Sequence, residues 1–346
     1  MKKTVNFALI LICLLFLGVF CIRPVKAQYQ SSITINADGS VIPSTAPIQQ
    51  SGNVYTLTSD EVTNIEGVCI TVQRSNMILD GNGHSLSSTT LTDNGDGLLL
   101  SSVTNVTLKN FIITDCVVGI ELDNTSNVTV TNNTITQAYV NHPSILPTCA
   151  IGFDGGYSNI ITGNIIVNNM VGIDLDETSN NLIVENNITN SSTDAFNVDE
   201  SSNNSIYHNN FINNTGQMED LQVGTGVPSV NIWDNGYPSG GNYWSDYQSK
   251  YPNASQIDSS GIGNTPYIID ENNIDHYPLI YRVDISATSS NLSPTPSTIP
   301  PPTASPTPAI PEFPTWIILP LFAIVLLLST VIIKKRITKK IAPAHP

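Results

Sequence analysis

Six carboxylates in the middle of this chain are spaced so that a regular fold could stack them on one surface. Glu121, Asp154 and Asp174 each stand two residues after a glycine (Gly119, Gly152, Gly172), and Asp123, Asp176 and Asp199 suggest a second column. Stacked at the ~4.8 Å spacing of paired strands, neighbours would repel by about 1 kcal/mol in water and about 3 kcal/mol at an effective dielectric of 20. Such a stack is tolerated if it is fully hydrated, if raised pKa values keep members protonated, or if a hard cation bridges the oxygens. The expectation carried forward is Ca²⁺ held along all six. Stacked acids also supply the two carboxyls a glycosidase needs, although the spacing singles out no catalytic residue. A second group, Tyr243, Trp244, Asp246 and Tyr247, lies among Gly and Asn, where rings can stack on sugars. It is expected to bind a ligand, the alternative being that the rings seal one end of the fold.

Charge removes several classes. The chain carries a formal charge of -15, yet residues 28–310 hold only Arg74, Lys109, Lys250 and Arg282 as fixed cations. A surface so depleted in cations repels nucleic acid and anionic lipid. It also disfavours a uronate lyase, which needs a cation against the substrate carboxylate and usually a basic residue as its base.

The elements that must position these residues repeat. Asn105, Asn127, Asn159, Asn181 and Asn204 recur at steps of 22, 32, 22 and 23, each followed five residues later by Asn110, Asn132, Asn164, Asn186 or Asn209. An insertion of ten residues within 139–150 accounts for the long step. Units this small cannot bury a core alone, so they must stack. Gly119–Asp123, Gly172–Asp176 and Ala195–Asp199 alternate apolar and polar residues, the strand period. Asparagine tolerates left-handed backbone and suits a repeated corner. The fold expected is all-β: a right-handed parallel β-helix of about 22 residues per coil with capped ends.

The termini read differently. Residues 1–27, with Lys2-Lys3, an apolar run and Val25-Lys26-Ala27, make a secretory signal peptide. Residues 28–74 are expected to cap the first coil, 75–230 to form the coils, and 231–285 to form an aromatic C-terminal cap, with two Trp and seven Tyr between Trp233 and Tyr281. Residues 286–311 make a Pro/Ser/Thr-rich stalk. Residues 312–333 hold a sorting motif and a transmembrane helix, and 334–346 a basic cytoplasmic tail. Of the mature cysteines Cys69, Cys116 and Cys149, the last two each precede a glycine by three. That puts them in one column, either as a disulfide or as stacked thiols.

Three segments carry a family resemblance: Gly240-Gly241-Asn242-Tyr243-Trp244-Ser245-Asp246-Tyr247, Gly261-Ile262-Gly263-Asn264-Thr265-Pro266-Tyr267 and Asp275-His276-Tyr277-Pro278-Leu279. They resemble the C-terminal signature of NosD-like periplasmic β-helix proteins, and the Asn-punctuated repeats resemble the same group. The resemblance implies a β-helix outside the cytoplasm, a repeat also described as a carbohydrate-binding and sugar-hydrolase module, and a namesake associated with copper delivery. An Asp-rich loop of related members is thinned here to Asp258-Ser259-Ser260-Gly261. Pro311-Glu312-Phe313-Pro314 is similar to the sorting tag of archaeal surface proteins. Copper wants His, Met and Cys, whereas His84, His142, His208, His276, Met77, Met170 and Met218 are scattered. The function expected is a surface-anchored glycan-binding or structural module. A glycosidase on the same fold and a copper-handling protein are the alternatives.

Overall fold

The computed structural model describes residues 31–63, 67–88, 95–136, 148–223 and 226–285. Strands in these stretches line up in three long sheets. Sheet I has nine strands, among them Leu98–Ser101, Val118–Asp123, Cys149–Asp154, Val171–Asp176, Asp194–Asp199 and Gly216–Asp220. Sheets II and III have eight each. Sheet II runs through Val106–Lys109 and Leu182–Val184, and sheet III through Ile112–Thr114 and Asn187–Thr189. Neighbouring strands come from successive turns of the chain and pair in parallel, the pattern of a parallel β-helix.

Apolar residues of the alternating pattern form one inward row per sheet. Ile70, Leu98, Ile120, Ile151, Ile173 and Phe196 stack in register along sheet I, and all are fully buried. Leu79, Leu108, Val130, Ile161, Ile183 and Ile206 do the same in sheet II. Leu86, Ile113, Ile135, Ile166, Ile188 and Phe211 complete the core from sheet III. Burying each such side chain is worth about 1.5–3 kcal/mol, so the core holds the coils together.

The asparagines split into two kinds. Asn105, Asn110, Asn127 and Asn132 turn the corners with φ between 53° and 60°. Asn159, Asn164, Asn181, Asn186, Asn204 and Asn209 point inward and are buried. These inward residues form ladders. The N–H of Asn133 donates to Oδ1 of Asn164, and Asn164, Asn186, Asn209 and Asn242 continue rung by rung at 3.0 Å until Asn242 donates to Asp275. A parallel ladder runs Asn159, Asn181, Asn204, Asn231, Asn273. The spacing read from the sequence therefore slips by one residue between Asn127 and Asn159. Thr129 pairs with Ile160, a step of 31 against 22 before and after, so the insertion is nine residues and not ten.

Three further expectations change. The N-terminal segment is more than a cap, because Ile33–Ile35, Val54–Leu57 and Glu61–Thr63 already pair in parallel with Ile70–Val72, Met77–Asp80 and Ser85–Ser88. Only Val41–Ile42 and Ile48–Ser51 add antiparallel edges there. The coil also continues past residue 230, since Tyr243–Trp244 is the last strand of sheet III. Finally, Cys149 pairs with Val118 and not with the Cys116 level, and all three cysteines are buried with no disulfide between them. Burial pushes the Cys149 thiol well up, and the Cys116 thiol is raised first by its hydrogen bond with Cys69 and then by burial. The segments expected to be signal peptide, stalk, sorting motif, membrane helix and tail lie outside the described residues, among which no helix is long and apolar enough to cross a membrane.

Candidate functional site

The six carboxylates do lie on the outward face of sheet I, but in different columns from those expected. Asp123, Asp154, Asp176 and Asp199 pair in register as one unbroken row of four. Glu121, Gly152, Asp174, Asn197 and Glu219 form the neighbouring row. Alignment on the coil glycines misplaced Asp154 by two residues, because Gly119 lies level with Ala150 and Gly152 lies level with Glu121. A two-residue slip keeps every side chain on its correct face, so alternation alone cannot detect it. The apolar-Asp pair closing each strand (Leu122-Asp123, Phe153-Asp154, Leu175-Asp176, Val198-Asp199) was the signal that fixes the register.

Gly152 leaves a notch in the middle of the inner row. A Cβ there would collide with Oε2 of Glu121 and come within 3.2 Å of the Cys149 thiol, so the Glu121 carboxyl is folded over the glycine. Burial, reinforced by Asp96, Asp154, Asp174 and Asp123, pushes Glu121 up to about 8. Burial, then Asp176 and Asp199, pushes Asp174 up to about 6. Burial alone raises Asp96, the acid just before Leu98–Ser101, to about 6. Asp176 also rises, by burial and then by Asp199. One rung beyond Asp174, Asn197 is 3 % exposed and its Oδ1 has no hydrogen-bond partner.

In the inner row, burial and neighbouring acids therefore favour the protonated form of Glu121, one of the three remedies open to stacked acids. The Ca²⁺ expectation does not survive the geometry. Carboxylates on successive rungs run in a line, whereas Ca²⁺ needs several oxygens around one point. Among the described residues no three His, Cys, Asp or Glu side chains converge on a metal position.

The aromatic group is also reassigned. Trp244 is 1 % exposed, sandwiched between Phe211 at 4.2 Å and Tyr267 at 4.3 Å, with Nε1 donating to Asp275 at 2.9 Å. Both ring faces are covered, so neither can stack on a sugar. Tyr247, in the short helix Tyr247–Lys250, is buried and its hydroxyl donates to the Thr265 carbonyl. Asp246 accepts from the Tyr267 hydroxyl, and Arg282 lies over the half-buried Tyr243 ring. These residues seal the coil end.

A groove on the outside of sheet III, about 440 Å³, went unnoticed in the sequence. Asn110, Asn132, Thr134 and Asn187 supply amides and a hydroxyl, and Ile165 and Ile285 supply apolar wall. It has no titratable lining residue, so it can hold a ligand but cannot move a proton.

The sequence profile described as "Periplasmic copper-binding protein (NosD)" matches residues 20–249, well over half of the chain. The chain belongs to the NosD family. The family is extracytoplasmic, and so is this member. No curated protein sequence matches the chain. The solved structures similar to it include the enzymatically active domain of bacteriophage CBA120 tailspike protein 2 and a double mutant of the periplasmic alginate epimerase AlgG. The first has 13 % identity and a TM-score of 0.35, over 63 % of this chain and 40 % of that one. The second has 15 % identity and a TM-score of 0.27, over 57 % and 58 %. At such identity any likeness is one of fold and none of activity.

Copper, the metal in the NosD description, does not fit the donors. Nδ1 of His84 is engaged by Asp60 and Nδ1 of His276 by Asp234, and Nε2 of His208 meets the Ser239 carbonyl. Met77 is buried in the core. His142 lies outside the described residues.

Proposed function

We propose that this NosD-family protein is a surface β-helix that binds neutral, hydroxyl-rich glycans along the outward face of sheet I. The observation that carries this reading is the row Glu121–Gly152–Asp174–Asn197–Glu219, polar groups repeating at ~4.8 Å around a notch without a side chain. With Glu121 pushed up to about 8, the row both donates and accepts at neutral pH, which suits hydroxyls. Anionic glycans are disfavoured because the four fixed cations of residues 28–310 are all engaged elsewhere. Arg74 lies over Tyr55, Lys109 pairs with Asp80, Lys250 lies over Tyr267 and Arg282 over Tyr243. Titration calorimetry of the full chain should show binding of neutral hexasaccharides (gluco-, manno-, galacto- or xylo-) and none of oligouronates. Asp174→Ala should weaken that binding at least about tenfold, the scale of one lost hydrogen bond to a charged group. Binding of oligouronates alone, or equal binding by the variant, would remove this face from consideration.

We further propose that residues 316–333 hold the protein at the outer face of the membrane, with 286–311 as spacer. The support is 18 consecutive residues without a charge, followed by five basic ones. Deleting 316–346 should release the protein into the medium. A truncated protein that still pellets with membranes would refute the anchor.

A further inference from the structure

We infer that the groove on the outside of sheet III is a docking site for the segment of this chain that follows it, Ser286-Ala287-Thr288-Ser289-Ser290-Asn291-Leu292. The inference rests on neither the glycan reading nor the anchor reading above. Three observations point to that occupant, and the first is that the chain is led onto the sheet. The carboxamide of Asn210 grips Val283 on both sides: Oδ1 accepts from its N–H at 2.8 Å and Nδ2 donates to its carbonyl at 2.9 Å. Two residues later Ile285 is 8 % exposed and forms part of the groove wall. The next segment therefore meets the groove as a tethered ligand, at high effective concentration.

The second observation is apolar surface on an outward row. Ile165 and Ile112 stand on the outside of sheet III with Thr134 between them, and they are 43 % and 41 % exposed. Ile285 lines the groove beside Ile165, and Leu292 is the next large apolar residue of the chain. The path from Asn187 through Ile165 and Thr134 to Ile112 is three rungs, ~14 Å. A segment that advances ~2.0–3.3 Å per residue crosses it in about 4–7 residues, which brings Leu292 over Ile112.

The third observation is a match of chemistry. The groove offers carboxamides and a hydroxyl and has no titratable lining residue, and residues 286–311 carry no charge. A charged peptide would lose hydration there without gaining a partner, whereas serine and threonine hydroxyls and backbone amides find donors and acceptors. The side chains of residues 286–290 are small, and room for them is left by Gly163. It interrupts the corner row that has Asn132 on one side and Glu185 on the other. The chain then leaves the stack of coils from the flank of sheet III, a different sheet from the one proposed to bind glycans, and the free spacer starts after Leu292.

The test uses the full chain with paired cysteines under a mild glutathione couple. Ile112→Cys with Leu292→Cys should form a disulfide within one chain. Ile160→Cys with Leu292→Cys should not, although Ile160 lies in the same coil as Ile165 and seven residues of free chain span up to about 23–25 Å. Gly163→Asn fills the groove with the residue that turns the neighbouring corner at φ 55°, and Gly163 itself has φ 68°. Added to the first pair, it should abolish the cross-link and leave the melting profile of the parent unchanged. A second measurement does not depend on that variant. Maleimide labelling of Ile112→Cys alone should be slow, and Leu292→Asp should speed it at least about tenfold, the loss of one buried leucine. Equal yields from the two cysteine pairs, or labelling that ignores Leu292→Asp, would overturn the docking. A cross-link found only between two chains would overturn the intramolecular assignment and give the groove to the tail of a second copy.

Discussion

Replacing Asn209 with leucine should cost the coil about 3–5 kcal/mol, although the two side chains are nearly equal in volume. The Asn209 carboxamide accepts from both the N–H and the Nδ2 of Asn186 at 3.0 Å, and it donates to the carbonyls of Ile183 and Tyr207 at 2.8 and 3.1 Å. Leucine satisfies none of these, and each buried group left alone costs about 1–3 kcal/mol. The comparison that isolates the ladder is Asn132→Gly. Asn132 turns a corner at φ 55°, where glycine is at no disadvantage, and the next residue, Asn133, carries the ladder. Urea denaturation followed by circular dichroism should find Asn132→Gly close to the parent and Asn209→Leu far below it. If the two variants unfold together, the corners are held by something other than the ladder.

That contrast also marks how far the sequence could be read. Alternation in Val118–Asp123 and Val171–Asp176 gave the strands and their faces, because an inward apolar row and an outward polar row are written directly in the residue types. Register was harder. Asn127 and Asn159 look alike on paper, yet one adopts left-handed backbone and the other bonds to the next coil, and nothing local distinguishes these roles of asparagine. The acidic face was visible as a face, while its true rows depended on pairing Asp154 with Asp123 across the insertion. The Gly152 notch and the solitary Asn197 acceptor were not visible at all, because both depend on what adjacent coils place beside them. The rings of Trp244 and Tyr247 could have belonged to a sugar platform or a plug. Only burial decides between these, and burial is a property of the assembled coil.

The plug supplies the other large effect. The Asn ladders need an end, and two tryptophans help finish them. Nε1 of Trp233 donates to Oδ1 of Asn273, the last residue of one ladder, and Nε1 of Trp244 donates to Asp275, the last of the other. A ladder's final residue has no further coil to donate to, so an acceptor-only carboxylate fits there. Burial still pushes Asp275 up to about 7, against the downward pull of its bonds from Asn242, Trp244 and Tyr277. Trp244→Ala should remove the stacked ring and this donor together, a loss of about 3–5 kcal/mol. Trp244→Phe keeps a ring between Phe211 and Tyr267 and should lose only about 1–2 kcal/mol, the share of the N–H bond. The alanine variant also unseals the last rung of sheet III, and an open strand edge recruits other chains. Light scattering should therefore detect concentration-dependent assembly of Trp244→Ala and none of Trp244→Phe. A monomeric alanine variant as stable as the phenylalanine one would mean that the coil end is closed by the Tyr247–Lys250 segment and not by the indole.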